Sequence, residues 1–132
     1  MHLYPIEKDQ ETLDKWDLIT KIDRSLYDEK MKMFSYLDEN QIDWFISNFA
    51  DCDIDLNEVD HNGMTFLNYS SLHNHLEVAQ YFIDNQAEVN LANMTGISPL
   101  MSAASRGHIR IVLLLIEARA DPFMKDFEVI FN

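Results

Sequence analysis

The chain is short of several things, and each shortage excludes something. It has one cysteine, Cys52, in 132 residues, so neither an internal disulfide nor a cysteine zinc cluster can form, in keeping with a reducing compartment. Its longest unbroken apolar run is Ile111 to Ile116, far below the roughly 20 residues of a membrane helix. No bilayer span is expected. Met1-His-Leu-Tyr-Pro-Ile6 leads into Glu7, Lys8 and Asp9 without the basic start and long apolar stretch of a secretory signal, and a cytoplasmic location is expected. Between Lys32 and Arg106 there is no Lys or Arg, while the same interval holds Asp38, Glu39, Asp43, Asp51, Asp53, Asp55, Glu58, Asp60, Glu77, Asp84 and Glu88. With a formal net charge of −13, the chain repels nucleic acid and anionic lipid, whose dense negative charge only Lys and Arg can neutralise. Net charge of this kind promotes solubility, and it also suits an acidic face meeting a basic partner.

Glycine is scarce as well, with three residues in all, and all three fall within a repeat. Asp60-His-Asn-Gly63-Met-Thr65-Phe-Leu67 is followed 33 residues later by Asn93-Met-Thr-Gly96-Ile-Ser98-Pro99-Leu100, and the same step carries His75 to His108, Ala87 to Ala120 and Glu88 to Asp121. The second copy continues Met-Ser-Ala103-Ala104-Ser-Arg-Gly107-His108, then Ile111 to Ile116, then Ala120-Asp121-Pro122. This pattern resembles the ankyrin repeat, a unit of about 33 residues with a β-turn and two antiparallel helices. The resemblance implies an all-α solenoid of stacked helix-turn-helix units with short β-turn fingers.

Each element of the pattern has a physical reason. Gly63 and Gly96 suit a turn that needs positive φ. Thr65 and Ser98 can cap the first helix of each copy, and Pro99 fits its first turn, where the missing N–H has no partner to lose. Ala103 and Ala104 let helices approach closely. Gly107, and Asn74 in the first copy, can take the left-handed position that ends the first helix. Val78, Tyr81, Phe82 and Ile83, like Ile111 to Ile116, supply the buried side of each second helix. The first copy departs from the family: Phe66, Asn68, Ser70 and Ser71 stand where Pro, His and two Ala are usual, so its first helix is expected to be looser or differently packed.

Upstream, Met31, Met33, Phe34 and Leu37, then Ile42, Trp44, Phe45, Ile46 and Phe49, predict the two helices of a degenerate repeat, with Asp38-Glu-Asn40 as their turn. The domain layout predicted for the single domain 1–132 is a helical extension over 1–26, a degenerate capping repeat over 27–59, repeats over 60–92 and 93–125, and a truncated segment over 126–132. Leu13, Trp16, Ile19 and Ile22 recur at helical spacing and predict the extra N-terminal helix. Repeats cannot bury their apolar faces alone, so the outer face of the helix at 109–117 needs a cover. Phe127, Val129, Ile130 and Phe131 folding back, a partner, a second copy of the chain or a continuation would each supply one.

Catalytic and metal readings find little support. Asp51-Cys-Asp53-Ile-Asp55-Leu-Asn57 spaces oxygens as a calcium loop does, but Leu56 takes the glycine place and Asn62, not Glu, falls twelfth. His73 and His75 lack an identifiable third ligand, and the resemblance gives His75 and His108 a structural role instead, hydrogen-bonding neighbouring backbone beyond the inter-helix turn. Ser70, Ser71 and His73 have no orienting acid or oxyanion donor. No P-loop or dinucleotide fingerprint occurs. The expectation is a non-enzymatic chain without cofactor or metal.

Ankyrin proteins grip partners with turn tips and the exposed side of their first helices, which carries over to His61, Asn62, Met64, Leu72 and His73 in the first copy. In the second it gives Met94, Thr95, Ile97, Ser105 and Arg106, and the acidic loop adds Asp51, Asp53 and Asp55 as contacts for a basic protein. Met64, Leu72, Met94 and Ile97 are apolar where the fold does not require it, a mark of contact surfaces. The expected function is binding that sequesters or inhibits a basic protein, similar to bacterial immunity proteins, with self-association at the C-terminal end as a further contact. The alternative is an adaptor or scaffold, such as a microbial effector in a host cell.

Overall fold

The computed structural model describes residues 30–37 and 39–125. The expected N-terminal helix, Asp38 and the expected fold-back of Phe127 to Phe131 lie outside the described residues. Within them the chain is helical, in pairs: α1 over 30–37 with α2 (Ile42–Phe49), α3 (Phe66–Leu72) with α4 (Leu76–Asp84), and α5 (Pro99–Ser105) with α6 (Ile109–Glu117). The described residues hold no β-strand, only an isolated antiparallel bridge between Val59 and Thr65 at the base of a finger. Helix α3 packs on α4 and α5, α5 on α6, and α4 on both α2 and α6, which sets inner helices and outer helices in two layers.

Helix starts follow the capping residues. Thr65 Oγ1 accepts from Asn68 N at 3.0 Å and Ser98 Oγ from Met101 N at 3.3 Å, satisfying N–H groups that have no partner within the helix. Pro99 occupies the first turn of α5. Helix ends share one device. Asn40, Asn74, Gln86, Gly107 and Arg119 all have φ between 59° and 70°, and after each the next N–H returns to a carbonyl five residues back, as His75 N to Ser70 O at 2.9 Å and His108 N to Ala103 O at 3.0 Å. Such left-handed closure satisfies terminal carbonyls and turns the chain back sharply.

The core is aromatic at one end and aliphatic at the other. Phe66 is fully buried, with ring centroids 4.1 Å from Phe34, 5.3 Å from Phe49, and 5.5 Å from both Phe45 and Phe82. Toward the C-terminus Leu100, Ala103, Ile111, Leu115 and Ala120 take over. Burying each large side chain contributes about 1.5–3 kcal/mol.

Two expectations need correction, those on Ala104 and on the run Ile111 to Ile116, and the structure decides between the two alternatives for α3. Helix α3 is differently packed, not looser: Phe66 stacks in the aromatic core, and Asn68, Ser70 and Ser71 are buried and bonded, both serine hydroxyls donating to the Leu67 carbonyl, at 2.9 and 2.7 Å. Ala104 is exposed, so Ala103 alone is the close-packing residue. Trp44 is 63% exposed, standing about 100° and 140° round α2 from the buried Phe45 and Phe49. Of the run Ile111 to Ile116, only Ile111 and Leu115 are buried.

Candidate protein-binding groove

Two fingers shape the concave side, each built by an Asx side chain. Asp60 Oδ1 accepts from Asn62 N at 2.8 Å and Met64 N at 3.0 Å. One repeat on, Asn93 Oδ1 accepts from Thr95 N and Ile97 N, both at 3.0 Å. This bonding folds each finger onto itself. Gly63 (φ 75°) and Gly96 (φ 84°) take the left-handed positions. At Gly63 a Cβ would lie 3.0 Å from Met94 N and Cγ, so the glycine lets the next finger approach, and Met94 N donates to Asn62 O at 3.0 Å.

Between the fingers and α3 lies a groove of about 330 Å³. Met64, Tyr69, Leu72 and Met94 form its apolar lining, and Asp60, Asn62, Asn93 and Thr95 its polar rim. Five residues expected from the sequence therefore converge here: Asn62, Met64, Leu72, Met94 and Thr95. Met94 is 67% exposed. Met64 requires correction, being 7% exposed; Asn93 Nδ2 lies 3.3 Å from its sulfur, so the neighbouring finger covers it and only its edge reaches the groove. Ile97 is half-buried, and its carbonyl accepts from both Asn93 N and Asn68 Nδ2. His61, Ser105 and Arg106 are exposed but do not line the groove. His73 extends the surface, its ring 4.4 Å from that of Tyr69. Tyr69, Asp60 and Asn93 were missed from sequence; Tyr69 lies four residues before His73 on the same helical face, which was the available signal.

Asp51, Asp53 and Asp55 are exposed, as a solvated loop requires. Asp55 Oδ1 accepts from Asn57 N at 2.7 Å, which is turn bonding. Glu58 borrows a counterion from outside the base-free interval, 3.4 Å from Lys30 Nζ. Among the described residues no three His, Cys, Asp or Glu side chains gather as metal ligands, and no buried side-chain N or O lacks a hydrogen bond. A second cleft, of about 490 Å³, opens on the side of the inter-helix turns, with His75 beside Asp43 and Glu77. Burial, reinforced by the nearby His73, holds the His75 imidazole below its ordinary pKa, against the raising effect of a hydrogen bond with the Leu37 backbone.

The histidines tie repeats together as the resemblance implied. His108 Nε2 lies 3.1 Å from the Leu72 carbonyl oxygen, an acceptor, so the ring nitrogen donates across one repeat. His75 makes the corresponding bond to the backbone of Leu37. Asn68 Nδ2 donates to Ile97 O at 2.7 Å, and its Oδ1 accepts from Ser102 Oγ at 2.6 Å. On the outer edge Asn57 Oδ1 accepts from Glu88 N and Asn90 Oδ1 from Asp121 N, each at 2.8 Å.

Two layers of paired helices, joined by turn fingers over a concave groove, define a helical-repeat binding module. The chain belongs to the ankyrin-repeat family: the family pattern, ankyrin repeats in three copies, matches residues 33–126. It is 42% identical over 72 residues to the IkB-like protein of African swine fever virus (strain Badajoz 1971 Vero-adapted), covering 52% of this chain and 30% of that one. It is 35% identical over 71 residues to Notch-regulated ankyrin repeat-containing protein A of Danio rerio, covering 54% and 63%. It is also 32% identical over 75 residues to palmitoyltransferase Hip14 of Drosophila melanogaster, covering 56% of this chain and 12% of that enzyme. The chain spans less than two thirds of the length of each of these relatives. Ankyrin repeats mediate protein–protein interaction and are in general non-enzymatic modules. No helix among the described residues is long and apolar enough to cross a membrane.

Proposed function

We propose that this chain is a non-enzymatic, cytoplasmic binding protein that captures a basic protein partner in the groove beside Met94 and thereby sequesters or inhibits it. The observation that carries the reading is the exposed Met94 over an apolar groove floor, in a stretch where eleven acids between Lys32 and Arg106 have no Lys or Arg among them. The apolar floor supplies an anchor pocket, the kind of place where binding energy concentrates. The acids supply attraction at a distance, which raises the association rate. The similarity to a protein named IkB-like supports an inhibitory role over an adaptor. Self-association through the C-terminal end would use a different face, and the two contacts are compatible.

The test is capture from native lysate with mass spectrometry, followed by kinetics on what is captured. One stoichiometric basic partner supports inhibition, and several unrelated partners would support the adaptor. For the captured partner, Met94→Asp should weaken binding more than about tenfold with the melting temperature held. The association rate should fall steeply with salt, and Asp51, Asp53 and Asp55 changed together to Asn should imitate that fall. A rate indifferent to both would assign the acids to solubility alone.

A further inference from the structure

Helix α6, the last outer helix among the described residues, carries an apolar stripe with no cover among them: Ile109, Leu113 and Ile116 are 69%, 61% and 52% exposed. The preceding outer helix shows what is unusual here. At the corresponding positions α4 has Leu76 and Ile83, both half-buried against the core, and Gln80, which is exposed and bonds to Asp84. The middle position is thus polar in α4 and Leu113 in α6.

The same end lacks the polar connectors that join the other repeats. Asn68 bridges to Ile97 and Ser102, but one repeat on its place is taken by Met101, whose sulfur turns back to the Ser98 N–H. Asn57 and Asn90 each accept from the following repeat, but the next place in that series is Phe123, 85% exposed. A further repeat docked by the same bonds would find two apolar side chains where it needs the donor and acceptors of an Asn.

We propose that this end face, centred on α6, is the contact between two copies of this chain. Charge complementarity decides for a second copy. At about 100° per residue, Ile109, Leu113 and Ile116 share one stripe, and Arg110 and Glu117 both flank it along one edge. A two-fold axis near Leu113 runs the two α6 helices antiparallel, sets Ile109 against Ile116 of the second copy and brings each Arg110 to the other Glu117. The stripe is therefore self-complementary, as an isologous contact must be. This is also the part of the molecule where two copies repel least. Over 106–125 Arg106, Arg110, Arg119 and Lys125 exceed Glu117 and Asp121, while the chain as a whole carries −13. A pair of short helices with the flanking Phe123 buries less than the roughly 1,200–2,000 Å² of a stable interface, so the dimer forms by concentration. Helix α6 does not line the groove, which stays open in the dimer.

Sedimentation equilibrium of the full chain tests this, with circular-dichroism melts confirming that each variant folds. The weight-average mass should rise from near 15.5 kDa toward twice that value between ~10 µM and ~1 mM. Leu113→Glu, at an already exposed position, should abolish the rise. Arg110→Glu and Glu117→Arg should each weaken association roughly tenfold, and the two combined in one chain should restore it. A mass constant across the range would overturn the proposal. So would a chain that associates only after residues 126–132 are removed, which would give the face to that segment, or a mass growing past the dimer, which would indicate head-to-tail contact.

Discussion

The two repeats at 60–92 and 93–125 share a backbone plan and differ in what holds them. The first is aromatic and internally polar: Phe66 and Phe82 sit in a ring cluster with Phe34, Phe45 and Phe49, while Asn68, Ser70 and Ser71 are buried beside them. The second is built from small and aliphatic residues, Pro99, Leu100, Ala103, Ile111 and Leu115, with Ser98 and Ser102 as its buried polar groups. The lesson is that the repeat specifies positions to be filled and bonded. It does not specify one chemistry for filling them.

The comparison is sharpened most by cutting the core at one point in each repeat. Phe66→Ala, from a range of about 3–5 kcal/mol, should cost more than Leu115→Ala, from a range of about 2–5 kcal/mol, since the ring contacts four others and no neighbour can fill so large a gap. Denaturant melts of the two variants measure this. Equal losses would mean that the aromatic cluster is no tighter than the aliphatic end.

A smaller effect follows from the polar seam. Asn68→Ala takes the acceptor from the buried Ser102 hydroxyl and leaves the Ile97 carbonyl with the Asn93 N–H as its remaining donor, and should cost about 1–3 kcal/mol; Ser102→Ala alone should cost about 1 kcal/mol. The double variant should lose less than the sum, because the two share one bond. Strict additivity in the double-mutant cycle would break the claim that this bond couples the repeats.

The smallest effect is one of pH. The folded chain holds His75 below its ordinary pKa of 6.5, while the unfolded chain has the ordinary value and takes up its proton first as the pH falls. Proton uptake by the unfolded state then favours unfolding, so this contribution to stability is present above pH 6.5 and declines as the pH drops through and below it. Melting temperatures between about pH 8 and pH 5 should fall less in His75→Gln than in the parent chain.

Much of this was legible in the sequence. The step of 33 residues located the fingers, the caps Thr65 and Ser98, the left-handed turns at Asn74 and Gly107 and the backbone-bonding histidines, because each rests on a local requirement of one residue type. Depth was less legible. Met64 and Met94 both belong to a finger, three places apart in the repeat, and the first is covered by Asn93 of the next finger while the second, in the place of His61, is bare. A period fixes where a side chain stands within its own unit, while its burial depends on what stands one unit away. Asn68 was less legible for the same reason: its two partners, Ile97 and Ser102, lie 29 and 34 residues downstream.

The bonds between repeats have an evolutionary consequence. Met94 N, Asn68 and His108 reach to the carbonyl oxygens of Asn62, Ile97 and Leu72 respectively, an acceptor that every residue type possesses. Two of these three, Asn62 and Leu72, also line the groove. Their main-chain oxygens maintain the stack whatever side chain is attached, so mutation is free to explore new recognition surfaces there without first solving the folding problem again. The scaffold and its specificity are written on different atoms of the same residues.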